Sequence, residues 1–200
     1  MKGCSDILLC SSDRSKVLLG KRKVEPQPDW WFIGGRTRPG ETTTAAAKRN
    51  VLRELGMDFD ENRFQVLANY NMVWSYRAQD PITNGTADIS TIHIIYLSEE
   101  EEKADIPSLD VNEYHESKWW EIEEIQGERF HPCLINAVKA LKSKRAFEAL
   151  EMEVDKLYIS DKDVVKRAVD FVNAMRDSKP DNPSVKVIFD QKALKYVYQN

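Results

Sequence analysis

The sequence predicts a mixed α/β domain followed by a short C-terminal extension. Short apolar runs with strand character alternate with stretches whose apolar residues recur at helical spacing. A glycine pair, Gly34–Gly35, separates one apolar run from the first helical stretch. The 200 residues of the chain exceed a typical domain of about 100–150 residues. Together these features indicate one mixed α/β domain with room for an appendage.

The first third of the chain predicts a hairpin, a loop, a strand and a helix. Residues 6–10 and 16–22 are apolar runs on either side of a polar turn, which favours a β-hairpin. Two prolines in residues 23–29 indicate a loop. Trp30–Ile33 predicts a buried strand that ends at the glycine pair. Helical spacing predicts a helix over 43–55, with threonines at its start and a glycine directly after it.

Further strands and a long helix are expected in the middle of the chain. Residues 64–76 and 90–97 are apolar stretches typical of strands, and residues 117–122 predict another. The acidic run 98–105 is interpreted as a solvated segment without further role. A long helix is predicted from about Pro132.

The end of the chain predicts a small appendage. Apolar residues from Val164 to Met175 are in helical register, and those of 185–189 and 194–198 alternate as in a terminal strand or hairpin. We therefore expect a main domain over residues 1–148 and an α/β extension of unknown role over residues 149–200.

Composition and charge exclude several classes of protein. Hydrophobic residues make up 42% and charged residues 31%, which argues against wholesale disorder. The net charge of −4 disfavours a generic nucleic-acid binder. The apolar runs are too short for a signal peptide or a membrane helix. The three cysteines lack metal-ligand spacing and suggest no disulfide framework. A cytoplasmic protein that binds neither nucleic acid nor membrane is the expectation.

The segment after the glycine pair has residues suited to metal and phosphate binding. Glycines allow a sharp turn whose backbone carbonyls can face a ligand. On the predicted helix, Asn50 and Glu54 are one turn apart and share a face. A helical carboxylate that faces a glycine turn is a reasonable ligand for Mg²⁺, which also takes phosphate oxygens.

This segment resembles the Nudix box. That pattern is a glycine, five residues, a glutamate, seven residues, then arginine, glutamate, an aliphatic residue, any residue, two glutamates, any residue, glycine and an aliphatic residue. The positions that match are Gly35, Glu41, Arg49, Val51, Glu54, Gly56 and Met57. The resemblance implies a Nudix α/β/α sandwich with a mixed sheet, here with a C-terminal helical extension. The chain departs from the pattern at Asn50 and Arg53, where the box has metal-binding glutamates.

The departures resemble one Nudix branch, the GDP-mannose mannosyl hydrolases, which also lack these glutamates. Arg36, directly after the glycine pair, matches that branch as well, and the resemblance covers about residues 6–145. It implies hydrolysis of a GDP-mannose-like nucleoside diphosphate sugar by attack at sugar C1, with nucleoside diphosphate and free sugar as products. It also implies one Mg²⁺ per site, with Mn²⁺ as an alternative, and a homodimer.

The resemblance implies a set of ligands for the metal and the diphosphate. The metal ligands would be the Gly34 carbonyl, Glu54 and Glu113. Catalytic and substrate-binding arginines would be Arg22, Arg36 and Arg49. Two alternatives stay open: Arg49 pairs with Glu41 to brace the loop, and Arg22 is simply solvated.

The general base and the base-stacking residue are less well defined. One alignment register makes His115 the general base, another puts Tyr114 there, and His115 as an exposed bystander is a further alternative. Trp74 is the candidate for stacking on the nucleotide base, although tryptophans in strands are mostly core residues. His93 is offset by one residue from the strand histidine of the branch, which would turn it to the other face.

Three functional hypotheses follow. The first is the Mg²⁺-dependent hydrolysis at C1, the second a Nudix pyrophosphatase with a rearranged metal site, and the third a non-catalytic nucleotide-sugar binding protein. The second predicts that Asn50→Glu raises activity strongly. The metal-dependent hypotheses require Glu54 to face the glycine turn with room for a cation. A Glu54 turned inward, or paired with a cationic neighbour, would remove their basis.

Overall fold

A computed structural model describes residues 2–75, 77–104, 109–156, 158–179, 186–190 and 192–199. Residues 76, 105 and 185, which belong to segments predicted above, lie outside this set. The chain divides into two compact units, Met1–Ile125 and Gln126–Asn200. The boundary expected between residues 148 and 149 stays a prediction.

The first unit contains a seven-stranded mixed sheet. Its strands are β1 (Lys2–Cys10), β2 (Lys16–Arg22), β3 (Trp30–Trp31), β4 (Ile33–Arg36), β5 (Gln65–Trp74), β6 (Thr86–Tyr96) and β7 (Tyr114–Glu121). The order is β3-β2-β1-β6-β5, with β4 paired to β1 and β7 paired to β2. The pair β1–β6 is parallel and the other pairs are antiparallel. The predicted mixed α/β class is confirmed.

Strand β1 lies at the centre of this sheet because its apolar run pairs on both sides. Ile7 and Leu9 are fully buried and belong to a core cluster with Leu18, Ile33 and Val51. The predicted hairpin between β1 and β2 forms, with Leu9 opposite Leu18. Burial of this run therefore fixes the position of β1, and β1 pairs with the strand that carries the glycine pair.

Helix α1 (Thr43–Leu55) has the bounds that the sequence predicts. The Thr42 side chain accepts a hydrogen bond from the Ala45 N–H at 3.0 Å, which caps the start of the helix. Gly56 ends it in the left-handed conformation, with φ 64°. The buried face carries apolar residues and also Asn50 and Glu54. These two polar residues are thereby turned towards the sheet.

The structure corrects four predicted segments in this unit. The strand predicted over Trp30–Ile33 forms two short strands, and the second, β4, continues through the glycine pair to Arg36. Strand β7 begins at Tyr114 rather than at residue 117, and strand β6 begins at Thr86 rather than at residue 90. Their first residues have no strict apolar alternation, because both strand ends carry polar side chains. The acidic run contains helix α2 (Glu99–Lys103), whose Glu101 pairs with Arg63 through two guanidinium nitrogens. The prediction of a purely solvated segment was wrong for that carboxylate.

The second unit contains two helices and a hairpin. Helix α3 spans Pro132–Val154, helix α4 spans Asp161–Asp177, and strands β8 (Lys186–Asp190) and β9 (Lys195–Gln199) pair antiparallel. The Ser143 hydroxyl donates to the Ala174 carbonyl at 2.8 Å, which links the two helices. The predicted long helix and terminal hairpin are confirmed. No helix in the described ranges is long and apolar enough to cross a bilayer.

Candidate functional site

A cavity of about 480 Å³ opens in the first unit beside the glycine turn. Its lining includes six cationic side chains, namely Lys2, Arg22, Arg36, Arg38, Arg49 and Arg53. Four carboxylate side chains also line it, namely Asp6, Glu25, Asp88 and Glu113. The cavity is therefore cationic although the chain as a whole has a net charge of −4. Such a local excess attracts anionic ligands.

The glycine turn positions backbone oxygens at this cavity. A Cβ at Gly34 would lie 2.5 Å from the Ser5 carbonyl oxygen and 2.6 Å from Asp6 Oδ1, distances that real side chains do not reach. Only glycine allows β4 to approach β1 this closely. The Gly34 and Gly35 carbonyls consequently face side chains of helix α1.

Arg49 braces the loop between β4 and α1. Its Nε and Nη2 donate to Glu41 Oε1 and Oε2 at 2.6 and 2.7 Å, and Nη2 also donates to the Arg36 carbonyl at 2.9 Å. The Arg49 guanidinium, together with the Arg38 N–H, lowers the pKa of Glu41 to about 2. Arg49 lines the cavity, but most of its donors are engaged within the protein. These contacts support the bracing alternative over a direct catalytic role.

Asn50 fastens the helix to the sheet. It is fully buried, and its Nδ2 donates to the Ser5 carbonyl at 3.2 Å and to the Gly35 carbonyl at 3.1 Å. Its Oδ1 accepts from Arg49 Nη1 at 2.8 Å. A glutamate at this position would present oxygen to two carbonyl oxygens. The amide is therefore a structural clamp where the Nudix box has a metal ligand.

Glu54 is turned inward and paired with its neighbour Arg53. Only 4% of its side chain is exposed, its Oε1 accepts from Arg53 Nη2, and its Oε2 is shielded from solvent. Burial raises the pKa of Glu54, opposed by the Tyr114 hydroxyl and the Arg53 guanidinium. The same Arg53 Nη2 lies 3.4 Å from the Gly34 carbonyl oxygen. Glu54 thus faces the glycine turn as the sequence analysis requires, but a guanidinium stands between the two.

Tyr114 lines the cavity next to Glu54, and its ring packs over Gly20 of strand β2. A Cβ at Gly20 would lie 2.6 Å from the Tyr114 ring. The tyrosine is buried, and both burial and the Glu54 carboxylate raise the pKa of its hydroxyl. Glu113, the residue before it, also lines the cavity.

Asp6 is a cavity residue that the sequence analysis did not identify. It is buried on β1, and Oδ2 accepts a hydrogen bond from the Ser90 hydroxyl at 2.5 Å. Burial raises the pKa of Asp6 to about 7, opposed by Ser90 and Arg22. The available signal was a carboxylate at the start of an apolar run, which has no structural purpose in a buried strand unless it meets a partner.

Most of the predicted substrate-binding residues line the same cavity. Arg22, Arg36 and Trp74 all contribute to its wall. Within the described residues, the guanidinium groups of Arg22 and Arg36 make no ion pair or hydrogen bond. The Trp74 Nε1 donates to Asp88 Oδ2 at 2.9 Å, and its ring meets Trp31 edge to face at 5.9 Å.

The predicted histidine base is not brought to the cavity. His115 is exposed on β7, next to the buried Tyr114, and does not belong to the lining. Its assignment as base stays a prediction, without support from its position. His93 is fully buried and meets the Phe64 ring edge to face at 6.4 Å, which is a core position.

The residues at the turn do not fit the divalent metal that Nudix hydrolases generally use. Of the expected ligands, the Gly34 carbonyl and Glu54 face each other, but Arg53 contacts both. Across the part of the chain that the structure describes, no three His, Cys, Asp or Glu side chains come together to hold a metal ion. A cation beside a guanidinium is repelled, so this donor set disfavours a second positive charge.

A mixed sheet with a helix packed beside a glycine pair and a cationic cavity is the arrangement that the Nudix resemblance implies. The NUDIX domain family model matches residues 4–141, and the chain belongs to the Nudix family. Members of this family hydrolyse pyrophosphate linkages in general. The branch of GDP-mannose mannosyl hydrolases is not identified by the match.

Several solved structures are similar to this chain at low sequence identity. A MutT/nudix family protein from Enterococcus faecalis is 21% identical with a TM-score of 0.45, and the match covers 60% of this chain and 43% of that chain. A MutT protein from Methanosarcina mazei Go1 is 17% identical with a TM-score of 0.56, covering 72% and 94%. An Ap4A hydrolase from C. elegans is 16% identical with a TM-score of 0.54, covering 74% and 99%. The two similarities with TM-scores above 0.5 concern the fold.

Proposed function

We propose that this Nudix domain binds the diphosphate of a nucleoside diphosphate compound, with nucleotide sugars as the ligand class. The observation that carries the proposal is the cationic cavity, which Arg22 and Arg36 line with guanidinium groups that make no hydrogen bond or ion pair within the described ranges. Guanidinium groups suit phosphate because their planar fork donates two parallel hydrogen bonds. A cavity of about 480 Å³ also lies within the size range of small-molecule sites.

The proposal favours binding over metal-assisted attack on phosphorus. That reaction uses carboxylates of the box to hold metal ions, whereas Asn50 binds two backbone carbonyls and Arg53 pairs with Glu54. The wall of the cavity provides charge complementarity for a diphosphate without those carboxylates. Trp74 lines the same cavity and supplies a face on which a nucleotide base can stack.

A second candidate function is hydrolysis at sugar C1, as in GDP-mannose mannosyl hydrolases. The observation that favours it is the presence of two carboxylates, Asp6 and Glu113, in the same cavity as the arginines. In this reaction one carboxylate takes a proton from water, the water oxygen bonds to C1, and the bond from C1 to the diphosphate oxygen breaks. The nucleoside diphosphate leaves with its charge neutralised by arginines.

A panel of nucleotide sugars that includes GDP-mannose and UDP-glucose tests both candidates. Binding is measured by isothermal titration calorimetry, and products are identified by phosphorus NMR after long incubation with Mg²⁺. Binding with less than one turnover supports the first candidate, and nucleoside diphosphate with free sugar supports the second. Nucleoside monophosphate with sugar phosphate would contradict both, because it reports attack on phosphorus.

Matched variants link binding to the cavity. We expect Arg36→Gln and Arg22→Gln each to weaken nucleotide-sugar binding by about tenfold or more, since a charge-assisted hydrogen bond contributes about 1.5–3 kcal/mol. Lys23→Gln removes the same charge next to Arg22 at an exposed position outside the cavity lining and serves as control. Equal weakening by the control would show only a general charge effect. The expected homodimer is tested separately by sedimentation equilibrium.

A further inference from the structure

We propose that the Arg53 guanidinium takes the position of the divalent metal, so that this protein binds diphosphates without a metal ion. The proposal rests on the proposed function for its ligand class. It departs from the metal-dependent expectation that the Nudix resemblance implies. Three contacts, the donor count and the local charge support it.

The three contacts, two hydrogen bonds and one close approach, put Arg53 at the position that the resemblance assigns to the metal. The resemblance assigns the Gly34 carbonyl and Glu54 as metal ligands, and the single atom Arg53 Nη2 contacts both of them. The same nitrogen would lie 3.2 Å from a Cβ at Gly35, so it packs directly over the glycine turn. Mg²⁺ needs oxygen ligands at about 2.0–2.1 Å in octahedral geometry. It cannot reach these two oxygens while the guanidinium lies between them.

The donor count leaves Arg53 able to bind phosphate. A guanidinium has five N–H donors, and the two on Nη2 are directed to the carbonyl and the carboxylate. The three on Nε and Nη1 have no partner within the described residues. Arg53 lines the cavity, and 51% of its side chain is exposed. A diphosphate oxygen can therefore be held by the remaining side of the fork.

The local charge explains why the Arg53 guanidinium can replace a metal ion next to Glu54. A buried carboxylate such as Glu54 is costly unless it is paired, and Arg53 pairs it permanently because arginine stays protonated. The neutral pair removes the need for a metal ion at this carboxylate. Arg22 and Arg36 supply further positive charge to the same cavity, which a bound diphosphate requires.

A purely structural Arg53, which only neutralises Glu54, is distinguished by ligand binding. We measure GDP and inorganic pyrophosphate binding by calorimetry, once in EDTA and once in Mg²⁺. The wild type is expected to bind with affinities that agree within about twofold, whereas Arg53→Gln loses about tenfold or more in EDTA. Lys48→Gln, on the same helix outside the cavity lining, is the matched control and should change neither affinity. Unchanged binding by Arg53→Gln would overturn the proposal.

Replacing Arg53 by the glutamate of the Nudix box should make ligand binding depend on a metal ion. Arg53→Glu restores the glutamate of the Nudix box beside Glu54, and we expect it to bind Mn²⁺ in electron paramagnetic resonance titrations and to bind GDP only with metal. The wild type is expected to bind no Mn²⁺. Arg53→Lys keeps the charge without the fork and should recover part of the affinity in EDTA. Wild-type GDP binding that is lost in EDTA and restored by Mg²⁺ would overturn the proposal.

The two proposals fail separately. If GDP and pyrophosphate bind under neither condition, the proposed function fails, and the Mn²⁺ titration still decides the role of Arg53. Mn²⁺ binding by the wild type would then reject metal replacement, and binding only by Arg53→Glu or Arg53→Gln would support it. Circular dichroism checks the fold of each variant, and Arg53→Lys keeps a positive charge beside the buried Glu54.

Discussion

Asn50→Glu is the substitution that most directly separates a structural amide from a lost metal ligand. The side chain is fully buried, and its Nδ2 donates to the Ser5 and Gly35 carbonyls. Loss of both donors removes a partner from one buried and one part-buried acceptor, at about 1–3 kcal/mol each. The new carboxylate still accepts a hydrogen bond from Arg49. We therefore expect a loss of about 3 kcal/mol in the free energy of unfolding, in the lower part of the range summed over both acceptors.

This destabilisation is measured as a change in the thermal midpoint. For a chain of this size, 1 kcal/mol corresponds to about 2–4 °C, so Tm should fall by about 6–12 °C. Leu52→Glu introduces the same residue on the same helix at a position that is 45% exposed, and it should change stability by no more than about 0.5 kcal/mol. Both variants are followed by circular dichroism and assayed for pyrophosphatase activity with Mg²⁺.

An unchanged Tm together with a strong gain of Mg²⁺-dependent pyrophosphatase activity would refute the reasoning. It would mean that the amide clamp contributes little and that a single carboxylate completes a metal site. The hypothesis of a rearranged pyrophosphatase would then be favoured. A lower Tm without activity agrees with the structure.

Three further predictions concern contacts outside the phosphate-binding groups. Glu101→Gln should lower the free energy of unfolding at neutral pH, because the Arg63 guanidinium lowers the pKa of Glu101 from 4.5 to about 2. The difference in stability from the wild type should shrink as pH falls from about 4.5 to 2. Urea titrations at several pH values measure this difference. Ser143→Ala removes a hydroxyl that donates to the Ala174 carbonyl and should lower the free energy of unfolding in urea by about 1 kcal/mol. No change would mean that this hydrogen bond does not stabilise the pair of helices. Arg49→Lys cannot reproduce the bidentate pair that braces the turn, so faster proteolysis of residues 37–42 is expected, with equal cleavage rates contradicting a bracing role.

The fold was predictable because its signals are local. Helix α1 has the predicted bounds, since a threonine cap, an apolar stripe and a terminal glycine all lie within one short segment. The β1–β2 hairpin follows from two apolar runs around a polar turn, and the terminal hairpin follows from alternating apolar residues. The starts of β6 and β7 were misplaced because polar residues there follow no apolar period. Pairing with a neighbouring strand, which no local pattern encodes, extends both strands.

The predicted site residues stay a prediction, and the structure gives their positions and contacts. Arg22, Arg36, Trp74 and Glu113 line one cavity, whereas His115 lies outside its lining. Asp6 was missed because a lone carboxylate in a strand has no meaning until the residues around it are known.

The sequence by itself determined the Nudix family, the position of the glycine turn and the departures at positions 50 and 53, because these depend on residue type and spacing alone. Tertiary structure decided what the departures do. It directs the Asn50 amide to two backbone carbonyls and the Arg53 guanidinium to Glu54 and Gly34. The physical reason is that a long side chain can reach several partners from one backbone position. Which partner it meets depends on the packing of a helix over a turn that is distant in sequence.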